Sequence, residues 1–342
     1  LQRFVEQPFA SDAAEYSALV HRKVDVGNLP IQYLAVPTDN PTVAAANNPR
    51  LASHYTLDPL YTWSVNYFPY NFHSTGDGGA AGAIFSQLYF RQAFQSLVDQ
   101  PDLITRIYRG YAIPTYGPVP LYPSSSYVSK AERTNPYPYS PPHAVDLLRS
   151  HGWEVVPNGV STCIRPGTGP DQCGPGVPMG AKLQFSLQYA NDSAAAAPLM
   201  DAEKAAWAQA GIEVSLSPAS FDAVVQAATP CPSGCPWELE NWGVGWFYAP
   251  GYYPTGEDIF ASGASSNAGG FADPTNDANI KATLQTQADL GQYQDYLARQ
   301  LPVVWQPNGV TQLTEIKDGL EGVTPQNVFW ALTPEAWHFA SQ

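Results

Sequence analysis

The chain has 342 residues, enough for two α/β domains, and carries a formal charge of −14 from 16 basic and 30 acidic residues. No cluster of Lys and Arg supplies the basic footprint that nucleic acid requires, so that partner is excluded and an anionic membrane surface is disfavoured. Charged residues make up only 13% of the chain and no stretch approaches the ~20 continuous apolar residues of a membrane span.

A first helix is expected over residues 11–23, with Ser11 or Asp12 as N-cap and Ala18, Leu19 and Val20 on its apolar side. Strand character follows over 31–36 and again over the aromatic run 61–72. A Gly-rich stretch, 74–82, reads as a flexible surface loop: it precedes a helix, but no βαβ unit surrounds it as a dinucleotide loop would need. Helices are expected over 84–98 and 103–108, the second stopped by Gly110. Residues 113–142 are dense in Pro, Tyr and Ser and hold little regular structure. Ser140-Pro141-Pro142 then opens a helix that Gly152 ends.

The clearest unit spans 182–216. Leu183, Phe185, Leu187 and Tyr189 alternate as a strand, 193–210 is an Ala-rich helix ended by Gly211, and 212–216 is a second strand. This βαβ unit predicts parallel strands and an α/β fold. A helix over 221–228, a strand region over 237–246, a long helix over 276–300 and strand character over 303–316 complete the reading.

The four cysteines form two close pairs, Cys163 with Cys173 and Cys231 with Cys235, in Gly/Pro-rich stretches. Neither spacing suits zinc. Local disulfides and an oxidising compartment are the favoured reading, with buried free thiols as the alternative. The six histidines show no metal-ligand spacing, and Gly263-Ala264-Ser265-Ser266-Asn267 lacks the closing glycine of a nucleophile elbow. Glu238 and Glu240 share one face of a strand, where an exposed or salt-bridged pair is expected before a catalytic one. No metal, cofactor or catalytic residue is expected. The run from Asn241 and Trp242 through Trp246, Phe247, Tyr248, Tyr252 and Tyr253 is the densest aromatic cluster, suited to stacking against an uncharged ligand or to ordinary core packing.

Phe90-Arg91-Gln92-Ala93-Phe94, then Val98-Asp99, Leu103-Ile104 and Gly110, resembles a helix and its continuation in the extracellular solute-binding proteins of oligopeptide and dipeptide ABC importers. Residues 139–153, the Gly211-Ile212-Glu213-Val214 strand entry and residues 16–26 resemble further elements of that family in the same order. The resemblance implies a two-lobed periplasmic-binding-protein-like architecture of type II. It places 1–70 in part of a first lobe, 71–304 in a second, nearly complete lobe and 305–342 back in the first. It also implies a small-molecule or peptide ligand between the lobes, the permease subunits of an importer as partners, a monomer, and an extracellular or periplasmic location with a lipoprotein anchor upstream of Leu1. Asn241, Trp242, Trp246, Phe247, Tyr248, Tyr252 and Tyr253 are then the ligand-facing set. One departure bears on the ligand: after Gly245-Trp246 no acid occurs before Glu257 and Asp258, where peptide-binding members place an Asp for the ligand's ammonium group. A carbohydrate-active secreted enzyme or oligosaccharide-binding protein, or a surface adhesive protein, are the other classes that this composition admits.

Overall fold

The computed structural model describes residues 3–35, 44–76, 79–228, 234–249, 253–327 and 332–340. Helix α1 (Asp12–Val20) is capped by the Ser11 hydroxyl, which accepts from the Ala14 N–H at 3.3 Å. Strands β1 (Val26–Asn28), β2 (Tyr55–Leu60) and β3 (Ser64–Pro69) follow. The strand expected over 31–36 is instead a 3-10 turn at Ile31–Tyr33, and Val36 lies outside the described residues. Pro30 leads into that turn without an N–H to offer a ladder, and the Asn48 amide satisfies the Tyr33 carbonyl.

Helices α2 (Ala81–Phe85), α3 (Leu88–Gln95) and α4 (Gln100–Arg106) replace the two longer helices expected over this stretch. The Ser86 hydroxyl donates back to the Gly82 carbonyl at 2.8 Å and Gln87 adopts an extended conformation, so α2 cannot run into α3. Of the Gly-rich stretch, Thr75 and Gly79 are exposed, Ser74 and Ala80 are buried, residues 77–78 lie outside the described residues, and Gly82 already belongs to α2. Gly82 is buried, and a Cβ there would stand 2.7 Å from the Phe72 carbonyl oxygen. Strand β4 (Ala112–Ile113) leads through the Pro-rich stretch to α5 (Pro141–Ser150), capped by Ser140 as its sequence implies. A short antiparallel pair, β5 (Trp153–Glu154) and β6 (Thr162–Cys163), precedes the βαβ unit.

That unit comprises β7 (Gln184–Ala190), α6 (Ala196–Ala208) and β8 (Glu213–Ala219), with the two strands parallel and Phe185 beside Val214. After α7 (Phe221–Ala227), strand β9 (Leu239–Asn241) adds in parallel to the other edge of β7. The single strand region expected over 237–246 is thereby divided. Strand β10 (Trp246–Phe247) leaves that sheet and pairs antiparallel with β3. Gly245 makes the crossing possible, since a Cβ there would lie 2.1 Å from the Val65 carbonyl oxygen. Helices α8 (Pro274–Ala282) and α9 (Gln287–Gln300) replace one long helix, because Thr286 caps α9 by accepting from the Asp289 N–H at 3.2 Å. Strands β11 (Val303–Gln306), β12 (Asn308–Gly309), β13 (Gln312–Lys317), β14 (Leu320–Glu321) and β15 (His338–Phe339) close the described chain.

Three cores result. The largest joins α2 to α6 with the parallel sheet and includes Phe68, Phe94, Trp207 and Val304. A second gathers Val65, Tyr67, Phe260, Tyr293 and Trp305 around α8 and α9. The third, with Leu19, Leu51 and Leu313, lies against the sheet β1–β13–β2. Antiparallel strands β3 and β11 run between the first two cores and feed side chains alternately to each.

Cys163 and Cys173 form a disulfide, closing a ten-residue separation. Cys235 is disulfide-bonded as well, and its expected partner Cys231 lies outside the described residues.

Trp207 is fully buried and stacks on Phe94 with ring centroids 4.5 Å apart. Trp207→Ala is therefore expected to cost about 3–5 kcal/mol of stability. The measurement is the urea midpoint at constant slope; a loss below about 1 kcal/mol would contradict this packing.

Candidate functional site

The parallel strands β7 and β9 end at Ala190 and Asn241, and the chain after each end, 192–195 and 243–244, lines one side of a cleft. This is where an open α/β sheet offers its ligand crevice, beyond the carboxyl ends of its strands. The other side comes from Asp12, residues 28–32 and residues 308–313, which belong to α1, to the turn after β1 and to the β12–β13 stretch. Thr62 and Asn66 of the β3 region lie at the back, giving a cavity of about 590 Å³. That volume suits a small solute or a short peptide.

The back of the cleft is held by an array of amides and hydroxyls, of which Thr62, Ser64 and Asn66 are buried. Thr62 and Ser64 share a hydrogen bond of 2.8 Å between their hydroxyls, and the Thr311 hydroxyl donates to Thr62 at 3.2 Å. The Asn308 amide donates to the Ser64 carbonyl at 3.0 Å, and the Asn66 amide donates to the Pro307 carbonyl at 2.8 Å. The Asn66 Oδ1 atom finds no hydrogen-bond partner among the described residues, although Asn66 is only 3% exposed.

Below this array, Asn241 donates to Gln306 Oε1 at 2.9 Å, and Gln306 in turn donates to both carboxyl oxygens of Glu203, at 3.0 and 2.9 Å. All three are buried. Burial raises the Glu203 carboxyl to about 8, against the lowering effect of the Gln306 hydrogen bond. Glu203 is thus predominantly protonated at neutral pH and joins α6 to β9 and β11 as a neutral link.

The aromatic set drawn from the sequence is distributed rather than assembled in one place. Phe247 lines the cleft and is 44% exposed. Trp246 and Trp242 pack against the second core, Trp242 edge-on to Tyr67 at 6.1 Å. Tyr248 is buried, with its hydroxyl donating to the Pro118 carbonyl at 2.5 Å. Tyr253 lies edge-on to Tyr127 at 5.3 Å, and Tyr252 lies outside the described residues. Asn241 stands beneath the cleft in the Glu203 array.

Glu238 and Glu240 correct the expectation of an exposed strand face. Both are buried, because α7 packs across β7 and β9. Glu238 accepts from the Ser186 N–H and hydroxyl at 2.6 and 2.8 Å, and burial raises Glu240 to about 8. Neither lines the cleft. Among the described residues no group of three His, Cys, Asp or Glu could hold a metal ion. Among the described residues Phe247 is the one member of the expected set in the lining; the polar lining residues Asp12, Thr62, Asn66, Asp192 and Asn308 are among those that the aromatic cluster does not indicate. Two signals are present in the sequence: Asn66 places an amide beside the aromatic residues of its strand, and Asp192-Ser193 sits at the first junction of the βαβ unit.

Solved structures sharing this arrangement include the oligopeptide-binding protein AppA of Bacillus subtilis, in complex with a nonapeptide. It matches at a TM-score of 0.64 with 18% identity, over 96% of this chain and 59% of that one. Lactococcal OppA, complexed with an endogenous peptide in a closed conformation, matches at 0.67 with 16% identity, over 96% and 57%. The fold is therefore that of a two-lobed, type II periplasmic binding protein, and this chain spans a little over half the length of these neighbours. A stretch of 74 residues is 38% identical to the glutathione-binding protein GsiB of Escherichia coli K12, covering 22% of this chain and 13% of that protein. The model of bacterial extracellular solute-binding proteins, family 5, middle region, matches residues 1–255, and the chain belongs to that family.

The Glu203 array yields a pH test. A carboxyl raised in the folded state binds protons that the unfolded chain has released, so its contribution to stability falls as pH rises from the unfolded value of 4.5 through about 8. Glu203→Gln keeps an acceptor for Gln306 and removes the titration. Urea midpoints at pH 5 and pH 8 are expected to fall further apart in the parent than in the variant; an equal fall in both would refute the assignment.

Proposed function

We propose that the full-length protein is the extracellular substrate-binding component of an ABC importer, capturing a peptide or other small solute and delivering it to the permease subunits. The observation that carries this reading is the cleft of about 590 Å³ at the carboxyl ends of β7 and β9, completed by segments from both the early and the late part of the chain. Membership of family 5 supports it, as do neighbours solved with peptides bound.

In this reading residues 1–70 and 305–342 contribute to one lobe and 71–304 to the other. The hinge runs through the connections on either side of β3 and β11, where Thr62, Ser64, Asn308 and Thr311 interact. Closure about two adjacent strands would bring the walls of the cleft together on a ligand. The protein acts as a monomer outside the cytoplasmic membrane, held by a lipid anchor, and performs no turnover. The disulfide Cys163–Cys173 supports an oxidising compartment.

Phe247 offers the one ring of the aromatic set that reaches the cleft among the described residues. Phe247→Ala in the full-length protein is expected to weaken binding of the transported solute about five- to tenfold, the size of roughly 1 kcal/mol of aromatic contact. Calorimetric titration checks it, and unchanged affinity would remove Phe247 from the site.

A further inference from the structure

A chain of hydrogen bonds leads down from the wall of the cleft, and every link points the same way. The Gly243 N–H, in that wall, donates to Asn241 Oδ1 at 2.8 Å, and the Asn241 amide donates to Gln306 Oε1 at 2.9 Å. The Gln306 amide then donates to both oxygens of Glu203, at 3.0 and 2.9 Å. The chain thus ends on a carboxyl that is 1% exposed, midway along α6. Gln306 is also the register partner of Asn66 at the back of the cleft.

A small cavity of about 20 Å³ adjoins both this chain and the cleft. Asn241 and Gln306 line it, while Asn66, Tyr108, Ser193 and Gly243 line both it and the cleft. It has room for about one water molecule, beside the partners of Glu203 on one side and the ligand space on the other. Among the described residues Glu203 forms no ion pair. Tyr108, from the segment after α4, is the titratable group that interacts with it, and burial raises that phenol as well. Tyr189 of β7 lines the small cavity, and Glu213 of β8, the strand packed on α6, is exposed and accepts from the Gln184 amide. On α6 itself Asp201 and Lys204 are exposed.

We infer that Glu203 is a positioning residue for the cleft: as a neutral acid it anchors the donor chain that holds the Gly243 wall and the Asn66 floor, and solute capture is coupled to its proton. The inference rests on the binding-protein reading above and adds a regulation of that same site. A solute seated in the cleft covers Asn66, Ser193 and Gly243 and withdraws water from the small cavity beneath them. The carboxyl is then buried more completely, and burial disfavours its charged form. The occupied protein therefore holds the proton more tightly than the empty one, and binding near the titration point takes a proton up. Affinity is full where Glu203 is protonated in both states, below its value of about 8, and falls as pH rises through that value.

The test titrates the full-length protein and its Glu203→Gln variant with trialanine from pH 7 to pH 9.5. Glutamine keeps an oxygen for the Gln306 amide and cannot ionise, and the amine of the probe titrates alike against both proteins. Over this range the parent is expected to lose about fivefold more affinity than the variant. A second measurement needs the parent alone: at pH 8, adding trialanine is expected to intensify the infrared carbonyl band of protonated carboxyl groups, which a merely structural role for Glu203 would leave unchanged. Parallel pH profiles in the two proteins, or no infrared change on binding, overturn the inference and leave the binding-protein reading in place. Failure of trialanine to bind either protein at any pH overturns both.

Discussion

The ladder between β3 and β11 is the constraint on which the rest of the molecule depends. All residues of both strands are buried, and they serve two different cores. Phe68 and Val304, which are register partners, face the core of the βαβ unit; Tyr67 and Trp305, also partners, face the core under α8 and α9. Toward the cleft the next pair is Asn66 with Gln306, and here both side chains are polar. The same alternation that fills two cores therefore brings two amides to the point where the cavity begins. Arg91 reinforces the junction from below. It is buried and donates to the carbonyls of Phe85 and Gln300 at the C-terminal ends of α2 and α9. Helix C-termini are suited to a cation, and the Phe72 ring at 5.4 Å supplies a further favourable face.

Much of this order is present in the sequence, where local physics is strong. Ser11, Ser140 and Ser220 cap their helices, and the alternation from Leu183 to Tyr189 with the Gly211 stop marks the βαβ unit. The failures share a cause. Apolar periodicity alone carries a helix through Ser86-Gln87 and through Thr286, where a single side chain competes for the backbone without disturbing that periodicity. The stretch 237–246 reads as one strand because nothing in its composition shows that Gly245 must pass against Val65 of another sheet. The cleft was only partly legible for a related reason. Its lining comes from segments more than two hundred residues apart, and their convergence is a property of β3 and β11 rather than of any motif.

Acidic residues divide into two populations with different physics. Glu132, Glu203 and Glu240 are buried and raised to about 8 by desolvation, so they act at neutral pH mainly as uncharged hydrogen-bonding groups. The formal charge accordingly overstates the charge of the folded chain. The exposed population forms pairs such as Asp102 with Arg106 and Asp171 with Arg165, at 2.5 and 2.6 Å, whose solvation leaves each worth about 0–1 kcal/mol. Stability rests on the three apolar cores.

The two-sided burial of β3 also governs where the length of such a chain can drift among relatives. An inserted residue between Ser64 and Pro69 would move each side chain beyond it to the opposite face, so that Phe68 and Tyr67 would exchange cores and the amide at the cleft would be replaced. No compensating change in one core could repair the other. Turns such as 121–127 run over the surface and can gain or lose residues at the cost of local contacts only. Homologues built on this ladder are thus free to lengthen at their turns, while the spacing from Ser64 to Pro69 is fixed as a count.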